Sequence, residues 1–424
     1  MQLNLFEPVS RDERQAQALK AWIKAKGHAT IVAATGFGKT KLSCDIIDKL
    51  RNKYPTMSVL IVVPTQNLKD QWLEVLDYRG LGFNTDVQVM MGASKKEQVC
   101  DLLIIDEAHK INSEVLSNIL TNTKYKLILG LTATFERLDG RHEILAKYAP
   151  VCDTITMEDA LLNGWVSKYK DYVVIIDVND IETYKEYNKE FTQAYEFFNW
   201  DFNLAMSLIG KDGFKHRWEY CKKIVPNDYE AQKAFLKTVS FNAMSFMRSM
   251  QARKKFVQNH PEKIRIAKEI IKCRSDKKIV TFNANVKMAE SYGSGYVYTG
   301  KDGKKKNRIT IEEFSGLSSG QLHSCKMAIE GLNLPDLSVG IQTGIDSSKT
   351  KAVQSLGRVV RLQKNKTAEF FTLVINNTIE TKWMENAKKD SQIEIIDVEN
   401  LMHVLKGEPY ELYKKKITNF TFRF

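Results

Sequence analysis

A chain of 424 residues is too long for one small hydrophobic core and suits two or three domains. With 43% hydrophobic and 27% charged residues it is neither disordered nor fibrous, and no apolar run approaches the roughly 20 residues that cross a bilayer. A formal net charge of +12 favours a polyanionic partner, because Lys and Arg gain by displacing counterions condensed on phosphates.

The first residues, Met1-Gln2-Leu3-Asn4-Leu5-Phe6-Glu7, carry neither the basic n-region nor the apolar stretch of a secretory signal. The six cysteines, at 44, 100, 152, 221, 273 and 325, are scattered without a Cys-x-x-Cys pair. A reducing, cytoplasmic setting is therefore expected, with neither a disulfide framework nor a zinc cluster.

Short β-branched or apolar runs recur along the chain, each followed by a helical pattern. They fall at residues 31–34, 59–63, 102–105 and 127–130, and again at 173–178, 278–282, 339–342 and 370–374. Buried parallel strands alternating with helices have this form, and two such series predict two doubly wound α/β domains. The expected boundaries are 1–160 and 161–424. Between the strand near 178 and the one at 278, the chain turns aromatic and rich in Lys and Glu, which predicts a helical insertion at about residues 180–262. Tyr184, Tyr187, Phe191, Tyr195 and Phe198 recur there at helical spacing, as core residues do. The run Lys301–Lys306, with Gly303 inside it and Gly300 just before it, is expected as an exposed basic loop.

Ala33-Ala34-Thr35-Gly36-Phe37-Gly38-Lys39-Thr40 follows the first strand directly and precedes a helical run. A phosphate chain needs backbone N–H groups turned inward, which glycines permit, and the helix N-terminus adds its positive dipole end. Lys39 would reach β- and γ-phosphates, and the Thr40 hydroxyl would hold Mg²⁺. Ala33 stands where the strict P-loop pattern has glycine. Next, Leu102-Leu103-Ile104-Ile105 ends in Asp106-Glu107-Ala108-His109. A strand that ends in two carboxylates presents them at the sheet edge where α/β folds bind ligands. Asp106 would hold the metal, and Glu107 would orient or deprotonate an attacking water.

Asp106-Glu107-Ala108-His109 resembles the DEAH box of superfamily 2 helicases, and the Ala33 form of the P-loop resembles that superfamily's first motif. Further segments resemble its motifs in order: Gln15 the adenine-reading glutamine, and Pro64-Thr65-Gln66 with Leu68, Gln71 and Trp72 the strand-contacting motif Ia. Gly130-Leu131-Thr132-Ala133-Thr134 resembles motif III, Lys278–Phe282 motif IV, and Tyr298-Thr299-Gly300 the backbone-contacting segment after it. Glu330-Gly331-Leu332-Asn333-Leu334-Pro335 resembles motif V, with Asn333 where many relatives carry Asp, and Gln354, Gly357, Arg358 and Arg361 match motif VI.

The resemblance implies two RecA-like domains and ATP with Mg²⁺ as cofactors. It implies an ATP site built from Gln15, Thr35, Gly36, Phe37, Gly38, Lys39, Thr40, Asp106, Glu107, Gly331 and Asn333. Gln354, Arg358 and Arg361 would reach the γ-phosphate, and transition-state charge on phosphoryl oxygens calls for such a cationic fork. Pro64, Thr65, Gln66, Thr132, Thr299 and Gly300 would contact a nucleic-acid strand, with His109 and Thr134 coupling ATP state to those contacts. The segment from Gly130 to Asp139 is reminiscent of the XPB-like and UvsW-like branch, and the compact form resembles helicases of T5-like phages. Only about 15 residues, near Asn84–Gln98, stand before the DEAH strand where the motif Ib region would lie, so that region is expected to be reduced. The branch implies a monomeric helicase or translocase acting on single-stranded and branched DNA in repair, recombination or replication, in the host cytoplasm if phage-encoded. Two rivals keep the same engine: an RNA helicase, and the motor subunit of a restriction complex. A third uses ATP only to clamp DNA.

Overall fold

The computed structural model describes residues 8–111, 113–135, 140–210, 212–325, 334, 337–345, 359, 367–388 and 392–414, without the side chains of 114 and 304. Chain packing divides it into two compact units. One comprises Met1–Asp171, Arg274–Ile341 and Ser348–Phe371; the other comprises Tyr172–Cys273, Gln342–Ser347 and Thr372–Phe424.

The first unit holds a six-stranded, all-parallel sheet of β1 (His28–Ala33), β2 (Val59–Val63), β3 (Thr85–Val89), β4 (Gln98–Asp106), β5 (Thr123–Thr132) and β6 (Val151–Ile155). Their order is β3-β2-β4-β5-β1-β6. Helices α1 (Arg11–Lys24), α2 (Lys39–Arg51), α3 (Gln66–Tyr78), α4 (Met90–Ala93), α5 (Glu114–Asn122), α6 (Glu143–Ala146) and α7 (Met157–Leu162) connect or flank the strands. Leu102, Leu103, Ile104 and Ile105 are all completely buried, as a strand covered on both faces requires. Entry to α1 is set by a capping box, in which Ser10 and Glu13 each accept from the other's amide. Gly130 marks the tightest strand approach, because a Cβ there would meet the Thr30 hydroxyl across the β1–β5 pair at 2.4 Å. Parallel pairing puts the ends of β1, β2, β4 and β5 on one sheet edge, where crossover connections leave clefts.

The second series of strands forms a seven-stranded sheet. Its members are β7 (Lys168–Ile176), β8 (Lys278–Asn283), β9 (Tyr296–Tyr298), β10 (Gly320–Cys325), β11 (Val339–Gln342), β12 (Thr367–Ile375) and β13 (Glu394–Asp397), ordered β13-β7-β12-β11-β8-β10-β9. The two-domain α/β fold expected from the sequence is the fold observed.

Among the described residues between β7 and β8 the regular elements are all helices: α8 (Ile181–Phe197), α9 (Phe202–Ser207), α10 (Gly213–Ile224), α11 (Tyr229–Asn259) and α12 (Pro261–Cys273). Asp201 and Asp228 cap α9 and α11 by accepting from amides three residues on. These helices enclose their own core, with Tyr195, Phe198, Leu208, Cys221, Val239 and Phe246 at its centre. At 1.5 Å per residue the 31-residue α11 is about 46 Å long.

One expectation is corrected. Lys301–Lys306 is not an extended loop, because α14 (Lys304–Gly316) begins inside it behind the N-cap Gly303; α13 (Val286–Glu290) precedes it. Lys306 bonds Asp302, in the helix's lead-in, at 2.6 Å, and Lys301 reaches Glu290 at the end of α13 at 3.4 Å, so part of the run is neutralised. Two further helices, α15 (Ile379–Lys388) and α16 (Val398–Lys406), follow toward the C-terminal end.

Candidate functional site

The loop after β1 turns on Gly36 and Gly38, whose φ values of +92° and +96° suit residues without a Cβ. Gly38 is also the N-cap of α2, and no side chain caps that helix, so its first amides face the loop. Gln15, 2% exposed, braces the loop from α1. Its Nε2 donates to the carbonyls of Phe37 and Gly38 at 3.1 and 3.3 Å, and its Oε1 accepts from Lys41 at 2.9 Å. A Cβ on Gly38 would stand 2.8 Å from that Nε2, a second reason for glycine there.

The Phe37 side chain is wholly buried and meets the Trp165 ring edge-on at 5.3 Å, so only its backbone remains to serve a ligand. Lys39 Nζ donates to the Ala33 carbonyl at 3.2 Å, folded back along its own loop. Thr40 follows in the first turn, half-buried, and the buried hydroxyl of Thr35 has no hydrogen-bond partner.

Asp106 ends β4 and is 6% exposed. Its Oδ2 accepts from Trp72 Nε1 at 2.9 Å, and its Oδ1 accepts from the Glu107 amide at 2.9 Å. Burial first, and then the adjacent Glu107 charge, push the Asp106 carboxyl up to about 6, against the opposing pull of the Trp72 bond and the Lys39 charge. Trp72 was legible in the sequence only as part of motif Ia. A buried indole N–H needs an acceptor, and it finds one in the metal-binding candidate. Glu107 takes left-handed backbone, φ 51° and ψ 49°, a strained state for a residue other than glycine.

From Glu107 a chain of polar contacts runs inward. Its Oε2 lies 3.4 Å from His109 Nδ1, which is 3.0 Å from the Thr132 hydroxyl. Thr132 Oγ1 donates to the Thr134 carbonyl at 2.7 Å and accepts from the Thr134 amide at 3.2 Å. The single Thr132 proton is thus spent on Thr134, which assigns the His109 proton to Nδ1. Register explains the convergence: β5 lies between β4 and β1, pairing Leu131 with Asp106 and Thr132 with Val32.

The strand-contact candidates are placed differently from one another. Thr132 is completely buried inside this relay, and Thr299 is 1% exposed with its hydroxyl donating to Asp302 at 3.0 Å. Both hydroxyls are thus bonded to groups of the chain itself. Thr65 caps α3 by accepting from the Leu68 amide, and half-buried Pro64 precedes it. Gln66, bonded to Asp70, and Gly300 are exposed. Gly331, Asn333, Gln354, Arg358 and Arg361 lie outside the described residues.

Comparison with known proteins adds a sequence-wide result. The family model "Type III restriction enzyme, res subunit" matches residues 9–100 and 84–137, and "Helicase conserved C-terminal domain" matches 262–363. The chain is an ATP-dependent helicase of superfamily 2. This helicase is 28% identical over 384 residues to the DNA 3'-5' translocase XPB2 of Sulfurisphaera tokodaii, covering 86% of this chain and 81% of that protein. It is 23% identical to putative helicase 22 of a Sulfolobus islandicus filamentous virus, over 86% of this chain and 64% of the relative. A putative ATP-dependent RNA helicase of African swine fever virus matches 34% of each chain at 27% identity. Among solved structures, S. cerevisiae Dbp5 bound to RNA and ADP BeF3 shares the fold, with a TM-score of 0.58 at 12% identity over 92% of this chain and 91% of that one. No described helix is long and apolar enough to cross a membrane.

Proposed function

We propose that this helicase is a DNA translocase of the XPB-like and UvsW-like DEAH branch, stepping along one strand of forked or branched DNA in repair, recombination or replication. The observation that carries the motor reading is the relay from Glu107 through His109 to Thr132 and Thr134, which ties the carboxylate pair to the segment after β5. A simple clamp would need the phosphate loop but no such connection. DNA is favoured over RNA because the DNA translocase matches most of this chain, whereas the protein named as an RNA helicase matches a third of it. The T5-like resemblance, the host cytoplasm and a monomeric state belong to the same proposal, as do domain boundaries at 1–160 and 161–424.

The residues present fit Mg²⁺ and ATP: an orphaned buried hydroxyl at Thr35, an uncapped helix N-terminus behind two glycines, and a buried carboxylate that feels the Lys39 charge. Thr40 and Asp106 would hold the metal, which when bound neutralises charge developing on phosphoryl oxygens. Lys39 would leave the Ala33 carbonyl for the phosphates. Glu107 would orient the attacking water, and Gln354, Arg358 and Arg361 would complete the charge. Gly331 and Asn333 would meet the ribose side, with Gln15 supporting the loop and the adenine. Pro64, Thr65, Gln66, Thr132, Thr299 and Gly300 would follow the strand, Gln66 and Gly300 from exposed positions and the buried threonines through backbone groups.

The insertion would guide or part strands at a junction. Its long helix α11 turns Tyr229, Phe241 and Met244 outward, each more than 60% exposed, with exposed Lys233 and Lys237 between them. Arg217 donates to the Leu208 carbonyl at 2.6 Å and closes the end of α9.

The test is ATPase and strand displacement measured side by side on single strands, forks, Holliday junctions and RNA duplexes, with Lys39→Ala as the inactive reference. Displacement of forks and junctions beyond that of RNA duplexes is expected. Preferential RNA unwinding, or nucleotide-dependent binding without any displacement, overturns the reading.

A further inference from the structure

The chain leaves β11 through Thr343, Gly344 and Ile345, all buried, and then runs on to Gln354, Arg358 and Arg361. The Thr343 carbonyl is one of three acceptors of a single ammonium. Lys263, near the start of α12, is completely buried; its Nζ donates to Thr343 O at 2.9 Å and to Glu380 Oε1 and Oε2 at 2.6 Å each. Glu380, equally buried near the start of α15, also accepts from the Ile375 amide at the end of β12, at 3.0 Å. All three ammonium protons are spent, and the carboxylate is held from two sides. One buried pair thus joins two helix starts to the ends of two strands on one edge of the sheet.

Stability alone does not call for this arrangement. Two charges removed from water lose their hydration, and well-packed apolar side chains of similar volume are often as stable or more so. An apolar pair cannot donate to a carbonyl. The ammonium fixes where the Thr343 carbonyl points, and with it the direction in which the chain leaves β11. Gln342, whose Nε2 donates to the Gly344 carbonyl at 3.2 Å, holds the same exit from the strand side.

We propose that the Lys263–Glu380 pair is a positioning device for turnover: it pins the exit of β11 so that the segment bearing Arg358 and Arg361 is delivered in the geometry ATP hydrolysis needs. The proposal rests on the assignment of those arginines to the γ-phosphate. Lys263 and Glu380 touch no reacting atom in this scheme. Their effect is on kcat, through the chain they hold.

The experiment compares the full-length protein with Lys263→Met, Glu380→Leu and the double variant Lys263→Met/Glu380→Leu, alongside Arg358→Ala. Each single variant leaves a buried charge unpaired and melts below the parent. The double variant is expected to recover the parent melting temperature and to bind a fluorescent ATP analogue with parent affinity. Its DNA-stimulated kcat should nevertheless fall about 10- to 100-fold, the scale of an ångström-sized misplacement, with KM for ATP nearly constant. A merely structural pair would restore kcat together with the melting temperature. If Met and Leu pack poorly together, Lys263→Met/Glu380→Met offers a more adaptable apolar pair for the same comparison. Parent turnover in a folded double variant, with Arg358→Ala inactive, overturns the positioning role alone. Parent turnover in Arg358→Ala removes the arginine assignment and this proposal with it.

Discussion

Thr132→Val exchanges one hydroxyl for a methyl at a position with no solvent exposure. That hydroxyl serves three groups at once: the Thr134 carbonyl at 2.7 Å, the Thr134 amide at 3.2 Å and His109 Nδ1 at 3.0 Å. Each buried group left without its partner costs about 1–3 kcal/mol, and some recovers by local adjustment, so the loss is on the order of 3 kcal/mol. For a domain of this size the melting temperature should fall by about 6–12 °C. The functional consequence is separate from that loss. His109 keeps its neighbour Glu107 but loses the hydroxyl that connects it to the segment after β5, so ATP can still be hydrolysed while its state is no longer passed on. A coupling free energy of about 1–3 kcal/mol corresponds to about 5- to 150-fold, and strand displacement per ATP hydrolysed should drop within that range. Thr132→Ser keeps the hydroxyl and should restore displacement, though not all of the packing. Both quantities are read in one reaction, from a fluorescent fork and a coupled ATPase assay, at a temperature where both variants are folded by circular dichroism. Equal displacement per ATP in Thr132→Val and the parent refutes the relay, as does a serine variant that behaves like valine.

Proton linkage at Asp106 gives a second expectation. Its folded value of about 6 lies above the ordinary 3.8, so the fold holds this proton more tightly, and the associated stability is fully present below 3.8 and lost as pH rises through 6. Asp106→Asn has no such titration, so its stability relative to the parent should climb by roughly 2–3 kcal/mol between about pH 4 and pH 7.5. Urea unfolding across that range checks this, and parallel profiles for the two proteins contradict it. Replacing residues 180–262 by a short Gly/Ser linker should preserve DNA-stimulated ATPase but abolish unwinding of forks and junctions, with folding verified first by circular dichroism and a melting curve. A folded deletion that unwinds branched DNA as well as the parent does would reduce the insertion to a brace.

What the sequence determined by itself was local. The apolar run 102–105 followed by two acids, the glycines before Lys39, and the helical spacing of Tyr184, Tyr195 and Phe198 each declare one element and its chemistry within a few residues. Strand propensity, turn geometry and helix periodicity act over that same range, so the two α/β domains and the helical insertion were legible before any coordinates. The pairing of side chains was not. Gln15 meets the glycine loop after β1 22 residues on, Trp72 meets Asp106 across 34, and Lys263 finds Glu380 across 117. Strand order and register set those meetings, and neither is written in any single segment. The same cause places two of the threonines. Thr132 and Thr299 carry the residue type that contacts a phosphate backbone, but register and loop closure turned both hydroxyls inward. A threonine at a strand end can face a strand groove or complete a buried relay, and the difference is whether the neighbouring strands leave its oxygen a partner. Only the tertiary structure decides that, because the cost of an unpaired buried polar group is felt only once the chain has closed around it.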